Sequence, residues 1–229
     1  MPLIVSQGLW VAARATRLPE AAGPRQGQSG QGTPLRLLIL GDSSAAGVGV
    51  DHQDNALSGR LVARLAATHS VDWHLWARSG LTTSSALRLL AAQETRAFDI
   101  AVLALGVNDV KNGVHLRRWQ TNYQRLIAVL RTRLNVRQIY ASGVPPLGSF
   151  PLLPDPLRSV LGARADRFDA ALGAICAGAG HAHHLAFDIP LDPQFVAADG
   201  FHPSAVLYDI WAAQVAAAIH AHPLTSAAP

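Results

Sequence analysis

The chain has 229 residues, 49% of them hydrophobic, and carries a formal charge of +4 at neutral pH. That length and apolar content fit one α/β domain with a substantial core and exclude a disordered protein. No apolar run approaches the roughly 18 residues of a membrane span, and the basic balance comes without paired zinc ligands or aromatics interleaved with the arginines, which excludes the usual nucleic-acid modules.

In chain order, Met1 to Thr16 carries Leu3, Ile4, Leu9, Trp10 and Val11 and predicts a short helix. It lacks the early positive charge and the long apolar core of a secretory signal, so a cytoplasmic location is expected. Its expected roles are packing on the domain or peripheral contact with a membrane surface. Leu18 to Pro34 is rich in Gly, Gln and Pro and reads as a linker. Residues 1–34 are therefore taken as an arm and linker, 35–222 as the main domain and 223–229 as a tail.

From Pro34 onward short apolar runs alternate with amphipathic stretches. Strands are predicted at Leu35–Leu40, Val71–Ala77, Ile100–Leu105, Gln138–Ser142 and Leu185–Asp188. Helices are predicted at Ala56–Thr68, Thr83–Gln93, Leu116–Leu134, Leu157–Ala177 and Ser204–His220. The alternation implies a parallel sheet with helices on both faces. The expected fold class is α/β: a three-layer α/β/α sandwich with a five-stranded parallel sheet in the flavodoxin-like order 2-1-3-4-5. In such a sheet ligands bind beyond the carboxyl ends of the strands, at the switch point between the first and third.

Chemistry-bearing residues gather at those strand ends. Gly41-Asp42-Ser43-Ser44 follows the first predicted strand, Gly80 the second, and Gly106-Val107-Asn108-Asp109 the third. Asp199-Gly200-Phe201-His202-Pro203 precedes the last helix. A serine hydroxyl needs a base to take its proton. His202 is the candidate base, and Asp199, three residues earlier, is placed to orient the imidazole. Pro203 suits a first helical position. Asp42 and Asp109 read as carboxylates that bond loop backbone. The neighbouring Ser44 is expected to turn away.

These blocks, from about Leu35 to His220, resemble those of the SGNH, or GDSL, hydrolase superfamily, named for Ser, Gly, Asn and His. The resemblance implies a serine esterase or acylhydrolase with Ser43, Asp199 and His202 as catalytic residues. It also implies an oxyanion hole made of the Ser43 and Gly80 backbone N–H groups and the Asn108 side chain. Two departures stand out: Ser44 occupies a place where Leu is common, and Leu207 replaces a Gly ahead of Tyr208.

No cofactor and no metal is expected. His181, His183 and His184 cluster in sequence, but neighbours on a strand face opposite ways. Cys176, the single cysteine, lies in an apolar helical pattern as a structural thiol and leaves nothing to demand an oxidising compartment. The arginines Arg117, Arg118, Arg125, Arg131, Arg133 and Arg137 read as a solvated helix face. Val144 to Pro156, rich in Pro and Leu, should border the crevice as a stiff apolar wall. Few charges fall near the motifs, which argues against a strongly anionic substrate. Small short-chain or aryl esters are the expected partners, with carbohydrate deacetylation or a lysophospholipase or thioesterase activity as alternatives; a non-enzymatic binding domain fits less well. Oligomeric state is left open.

Overall fold

The structure is a computed structural model and describes residues 4, 6–8, 10–11, 16–150, 152–187 and 192–224. Its strands are β1 Gln26–Ser29, β2 Thr33–Gly41, β3 His69–Ala77, β4 Ile100–Ala104, β5 Gln138–Ser142 and β6 Ala182–Leu185. Its longer helices are α1 Leu57–Leu65, α2 Thr83–Ala92, α3 Val107–Lys111, α4 Leu116–Leu134, α5 Leu157–Ala179 and α6 Ala205–Ala221. The sheet order is β1-β3-β2-β4-β5-β6. From β3 to β6 every neighbouring pair is parallel, which is the expected order 2-1-3-4-5.

The sheet is covered on both faces because β2 alternates. Leu35, Leu37 and Ile39 join a core with α1 and α6, while Leu38 and Leu40 join another with α2, α4 and α5. In α6 the buried residues Tyr208, Trp211, Val215 and Ile219 recur every three or four positions, one face of a helix. Every residue of β4 is buried, as a strand sandwiched between two helical layers requires. Each aliphatic side chain so enclosed contributes about 1.5–3 kcal/mol.

The sheet has six strands rather than five. The additional one, β1, lies inside the stretch read as a linker and runs antiparallel to β3, from Gln26 opposite His74 to Ser29 opposite Val71. Its sequence Gln-Gly-Gln-Ser has no apolar alternation because neither face of this edge strand enters a core. The same stretch is tied down further. Ala21 is buried, and Glu20 accepts from the Ser79 backbone N–H at 2.6 Å. The last strand begins three residues earlier than Leu185, because His183 and His184 are strand residues made polar by their partners Gln138 and Asp169. Of the predicted stretch, Asp188 lies outside the described residues.

In the N-terminal arm, residues 4, 6–8 and 10–11 are helical, and Ile4 and Val11 pack against the α2–α4–α5 core. The Gln7 side chain donates to the Asp155 carbonyl at 2.6 Å and accepts from the Leu157 N–H at 3.1 Å. It thereby caps the start of α5, whose first N–H groups have no partner within the helix. Leu3 and Leu9 lie outside the described residues. Among those described, no helix is long and apolar enough to cross a membrane.

Candidate active site

Ser43 stands two residues beyond the end of β2, and its Oγ lies 2.9 Å from His202 Nε2, across 159 positions of sequence. His202 Nδ1 lies 2.5 Å from Asp199 Oδ2. A carboxylate only accepts, so Nδ1 carries the proton and Nε2 is left to accept from the serine hydroxyl. Asp199 Oδ1 accepts the backbone N–H groups of Phe201 and His202, each at 3.0 Å, and so folds its own segment around the imidazole. Burial pushes the Asp199 pKa up, but the His202 ring and these backbone donors outweigh it and hold it below the ordinary carboxylate value.

Pro203 is not the first residue of α6. Ser204 is the N-cap and its Oγ accepts from Leu207 N, a role that Ser fills and Pro cannot. Pro203 instead forms a bridge with Val196, and Ala197 N–H donates to the His202 carbonyl at 2.7 Å. The histidine is held by a small antiparallel clasp and not by the helix itself.

Asn108 sits on α3, a five-residue helix for which the sequence gives no periodicity. Gly106 starts it at φ +135°, where a Cβ would stand 2.7 Å from Val144 Cγ2, so a side chain is excluded on two counts. Asn108 is 6% exposed, and its Nδ2 donates to Asp42 Oδ2 at 3.0 Å and to the Leu81 carbonyl at 3.2 Å. Asp42 Oδ1 accepts from both the N–H and the hydroxyl of Ser44, at 3.0 and 2.8 Å. Ser44 is thus turned away from His202. Burial raises the Asp42 pKa, with the Ser44 bonds opposing it. Asp109 faces α2: its Oδ2 accepts the Thr83 N–H and hydroxyl at 2.8 and 3.0 Å, and burial raises its pKa too. Gly80 has φ +80° with open space where a Cβ would lie. Among the described residues, the backbone N–H groups of Ser43 and Gly80 find no acceptor.

A crevice partly open to solvent lies beside Ser43 and His202. Among the described residues of the Val144–Pro156 loop, Pro145 and Phe150 line it, with Leu105, Val107, Phe187, Val196, Phe201, Leu207 and Trp211 from elsewhere. Leu147 and Leu153 of that loop turn into the core instead.

Two supporting residues have roles the sequence does not announce. The Tyr208 hydroxyl lies 2.8 Å from both the Ser44 and the Val48 carbonyls, pinning the serine loop to α6. Trp211 Nε1 donates to Ser142 Oγ at 2.9 Å, fixing the end of β5. The aromatic spacing in α6 reads as core, and only the fold shows that its polar ends reach the serine loop and the end of β5.

Elsewhere the chemistry is structural. Burial pushes the Cys176 thiol up to about 11, with Asp169 adding to the effect. His183 bonds Gln138 and stacks on Tyr140. His184 does meet a carboxylate, Asp169, at 2.8 Å. Among the described residues no group of three or more metal-ligating side chains converges.

A serine, a histidine and a carboxylate aligned at the switch point of a doubly covered parallel sheet are the build of an ester hydrolase. The chain belongs to the GDSL-like lipase/acylhydrolase family, whose sequence profile matches residues 39–210; it is a carboxylic ester hydrolase. No curated protein matches the chain. Among solved structures, the lipase/acylhydrolase from Enterococcus faecalis shares the fold with TM-score 0.64 at 20% identity, over 84% of this chain and 100% of that one. The psychrotrophic esterase EstA from Pseudoalteromonas sp. aligns with TM-score 0.62 at 21% identity, over 81% and 97%. Axe2, an acetylxylan esterase from Geobacillus stearothermophilus, aligns with TM-score 0.59 at 18% identity, over 80% and 93%.

Proposed function

We propose that the chain hydrolyses small carboxylic esters through an acyl-enzyme on Ser43. The observation that carries this reading is the continuous contact from Ser43 Oγ through the His202 ring to Asp199, at 2.9 and 2.5 Å. In the first half-reaction His202 Nε2 takes the Ser43 proton as Oγ bonds to the ester carbonyl carbon. The imidazolium then gives that proton to the departing alkoxide. Water, activated by the same nitrogen, releases the acid and restores the serine. Asp199 keeps the ring in the tautomer this needs and offsets its transient charge.

The tetrahedral oxyanion would meet the free N–H groups of Ser43 and Gly80. Asn108 would be the third donor, exchanging its longer bond to Leu81 for the oxyanion. Such donors act because they are fixed before the charge develops. The apolar lining of the crevice favours a short acyl or aryl group. Its aromatic rings, Phe150, Phe187, Phe201 and Trp211, also keep acetylated sugars as a second reading. Sugar hydroxyls would need polar partners, however, and Ser142 on that wall already spends one of its acceptor positions on Trp211.

A panel of 4-nitrophenyl esters of increasing chain length, beside acetylated sugars, tests the substrate class. A fluorophosphonate probe with mass-spectrometric mapping tests the nucleophile, and the adduct is expected on Ser43. Labelling of Ser44 alone, or no labelling of an active sample, overturns the serine assignment.

A further inference from the structure

Of the 19 lysine and arginine residues in the chain, Lys111 alone is a lysine. It closes α3 three residues after Asn108, which puts it on the same face of that helix, one turn farther along. Its ammonium lies 4.9 Å from the centroid of the Phe201 ring. Phe201 lines the crevice and meets the His202 ring edge-on, with centroids 5.3 Å apart. The only lysine therefore stands at the rim of the crevice, one ring away from the histidine.

Its charge is not matched there. Most cations that pack on this fold have acceptors: Arg25 pairs with Glu20, Arg36 with Asp99, and Arg164 bonds the Val110 and Val114 carbonyls. Among the described residues Lys111 has no ion-pair or hydrogen-bond partner, only the face of Phe201. The acid that acts on it is Asp42, whose oxygens are already occupied by Ser44 and Asn108. The residue stands exposed, yet desolvation at its ammonium lowers its pKa, with Asp42 opposing. An ammonium is a compact point charge on a flexible stem, suited to an anion whose position varies. An aromatic face holds such a cation without neutralising it.

We infer that Lys111 is a specificity residue that receives an anionic group of the substrate, so the preferred esters carry a carboxylate or phosphate within reach of the crevice rim. This inference runs against the expectation, drawn from the scarcity of charge near the motifs, that strongly anionic substrates are disfavoured. It rests on the ester-hydrolase reading above. The apolar cavity on the other side of Phe201 takes the uncharged part of the molecule, and the rim cation selects the end that stays in water.

Two matched pairs test it in the full chain. In one the charge is on the leaving group: 4-acetoxybenzoate against 4-acetoxybenzamide. In the other it is on the acyl group: 4-nitrophenyl hemisuccinate against 4-nitrophenyl butyrate. A third arm, 4-acetoxyphenyl phosphate against its neutral dimethyl ester, separates phosphate from carboxylate. The parent should favour the anionic member of at least one pair by about fivefold or more in kcat/KM, mainly through KM, and less so in high salt. Lys111→Met should cost the anionic member about tenfold more than its neutral partner, and Lys111→Arg should restore most of the preference. Equal losses on both members would mean that Lys111 only holds Phe201, and no preference in any pair would also overturn the inference.

A second readout does not depend on turnover. Reductive methylation of the single lysine, followed by mass spectrometry, should be slowed by 4-hydroxybenzoate, succinate or phenyl phosphate, and not by 4-hydroxybenzamide. Protection in a protein that hydrolyses no ester would sink the hydrolase reading and leave the anion site standing. Hydrolysis without protection or preference would do the reverse.

Discussion

Asn108 Nδ2 donates to Asp42 Oδ2 at 3.0 Å, joining the loops after β2 and β4 across 66 positions of sequence. Asp42 is useful there because a carboxylate accepts at both oxygens. Ser44 supplies two donors to one of them and Asn108 one to the other. A carboxamide at position 42 must aim its NH₂ at one of these donor sets, whichever way it is turned.

Asp42→Asn is therefore expected to destabilise the fold by about 1–3 kcal/mol, the cost of a buried donor left facing a donor. Urea unfolding midpoints measure this directly. Turnover should fall as well, since Asn108 loses the acceptor that aims it. A variant as stable and as active as the parent would show that the Asp42 contacts are incidental.

Asn108 itself should behave as a donor that matters more in the transition state than in the ground state. Removing one such donor typically costs about 10² to 10³ in rate, roughly 3–4 kcal/mol. Asn108→Ala should lower kcat and leave KM nearly unchanged. Asn108→Asp should do at least as badly, because a carboxylate would repel the developing oxyanion and also face Asp42. Normal turnover at saturation with weakened KM would reassign Asn108 to substrate positioning. A circular dichroism spectrum matching the parent is the control.

The layout of the sheet was legible because β2 and β4 are apolar runs and the long helices show clean three- and four-residue spacing. Ser43, Asn108, Asp199 and His202 were legible because each follows or precedes such an element in a short, specific block. What escaped has physical reasons. β1 is a polar edge strand with no buried face, and α3 is too short to show a period. Tyr208 and Trp211 look like core until the fold turns their polar ends toward Ser44 and Ser142. Lys111 is one charge in a loop-like stretch, and only the position of Phe201 gives it a setting.

Asp99 links the amino ends of three strands. Its carboxylate accepts the Arg36 backbone N–H, Nε and Nη2 at 2.9, 3.0 and 2.6 Å. Its carbonyl accepts from Arg137 and Gln138. Burial pushes its pKa up, but Arg36 more than offsets this and holds it below the ordinary value. A depressed carboxylate pKa gives stability that is present above the unfolded value, about 3.9, and lost as pH falls through the lower folded one. Arg36 is 45% exposed, so solvent screening limits the effect to about 1 kcal/mol. Asp99→Asn should be less stable than the parent by about that amount at pH 7, and the gap should close below about pH 4. A gap that stays constant from pH 7 to pH 3 would mean the carboxylate charge plays no part.

His202 and Asp199 carry the last prediction. His202 is the only imidazole within reach of Ser43 Oγ among the described residues, at 2.9 Å. His202→Ala should therefore reduce kcat by a factor on the order of 10⁴ to 10⁶, as removal of a triad base does. Asp199→Asn asks a finer question. The carboxamide can keep the shape of the loop by accepting from Phe201 and His202 N–H through its oxygen. That choice turns its NH₂ toward Nδ1, which forces the imidazole into the tautomer with its proton on Nε2, facing the serine hydroxyl. The base is then present but wrongly protonated, so activity should fall by a factor on the order of 10⁴ with little loss of fold. Steady-state rates on a 4-nitrophenyl ester, with thermal unfolding of each variant, separate the two effects. If Asp199→Asn kept more than a tenth of the parent rate while folding normally, Asp199 would be a scaffold for its loop and not the group that sets the His202 tautomer.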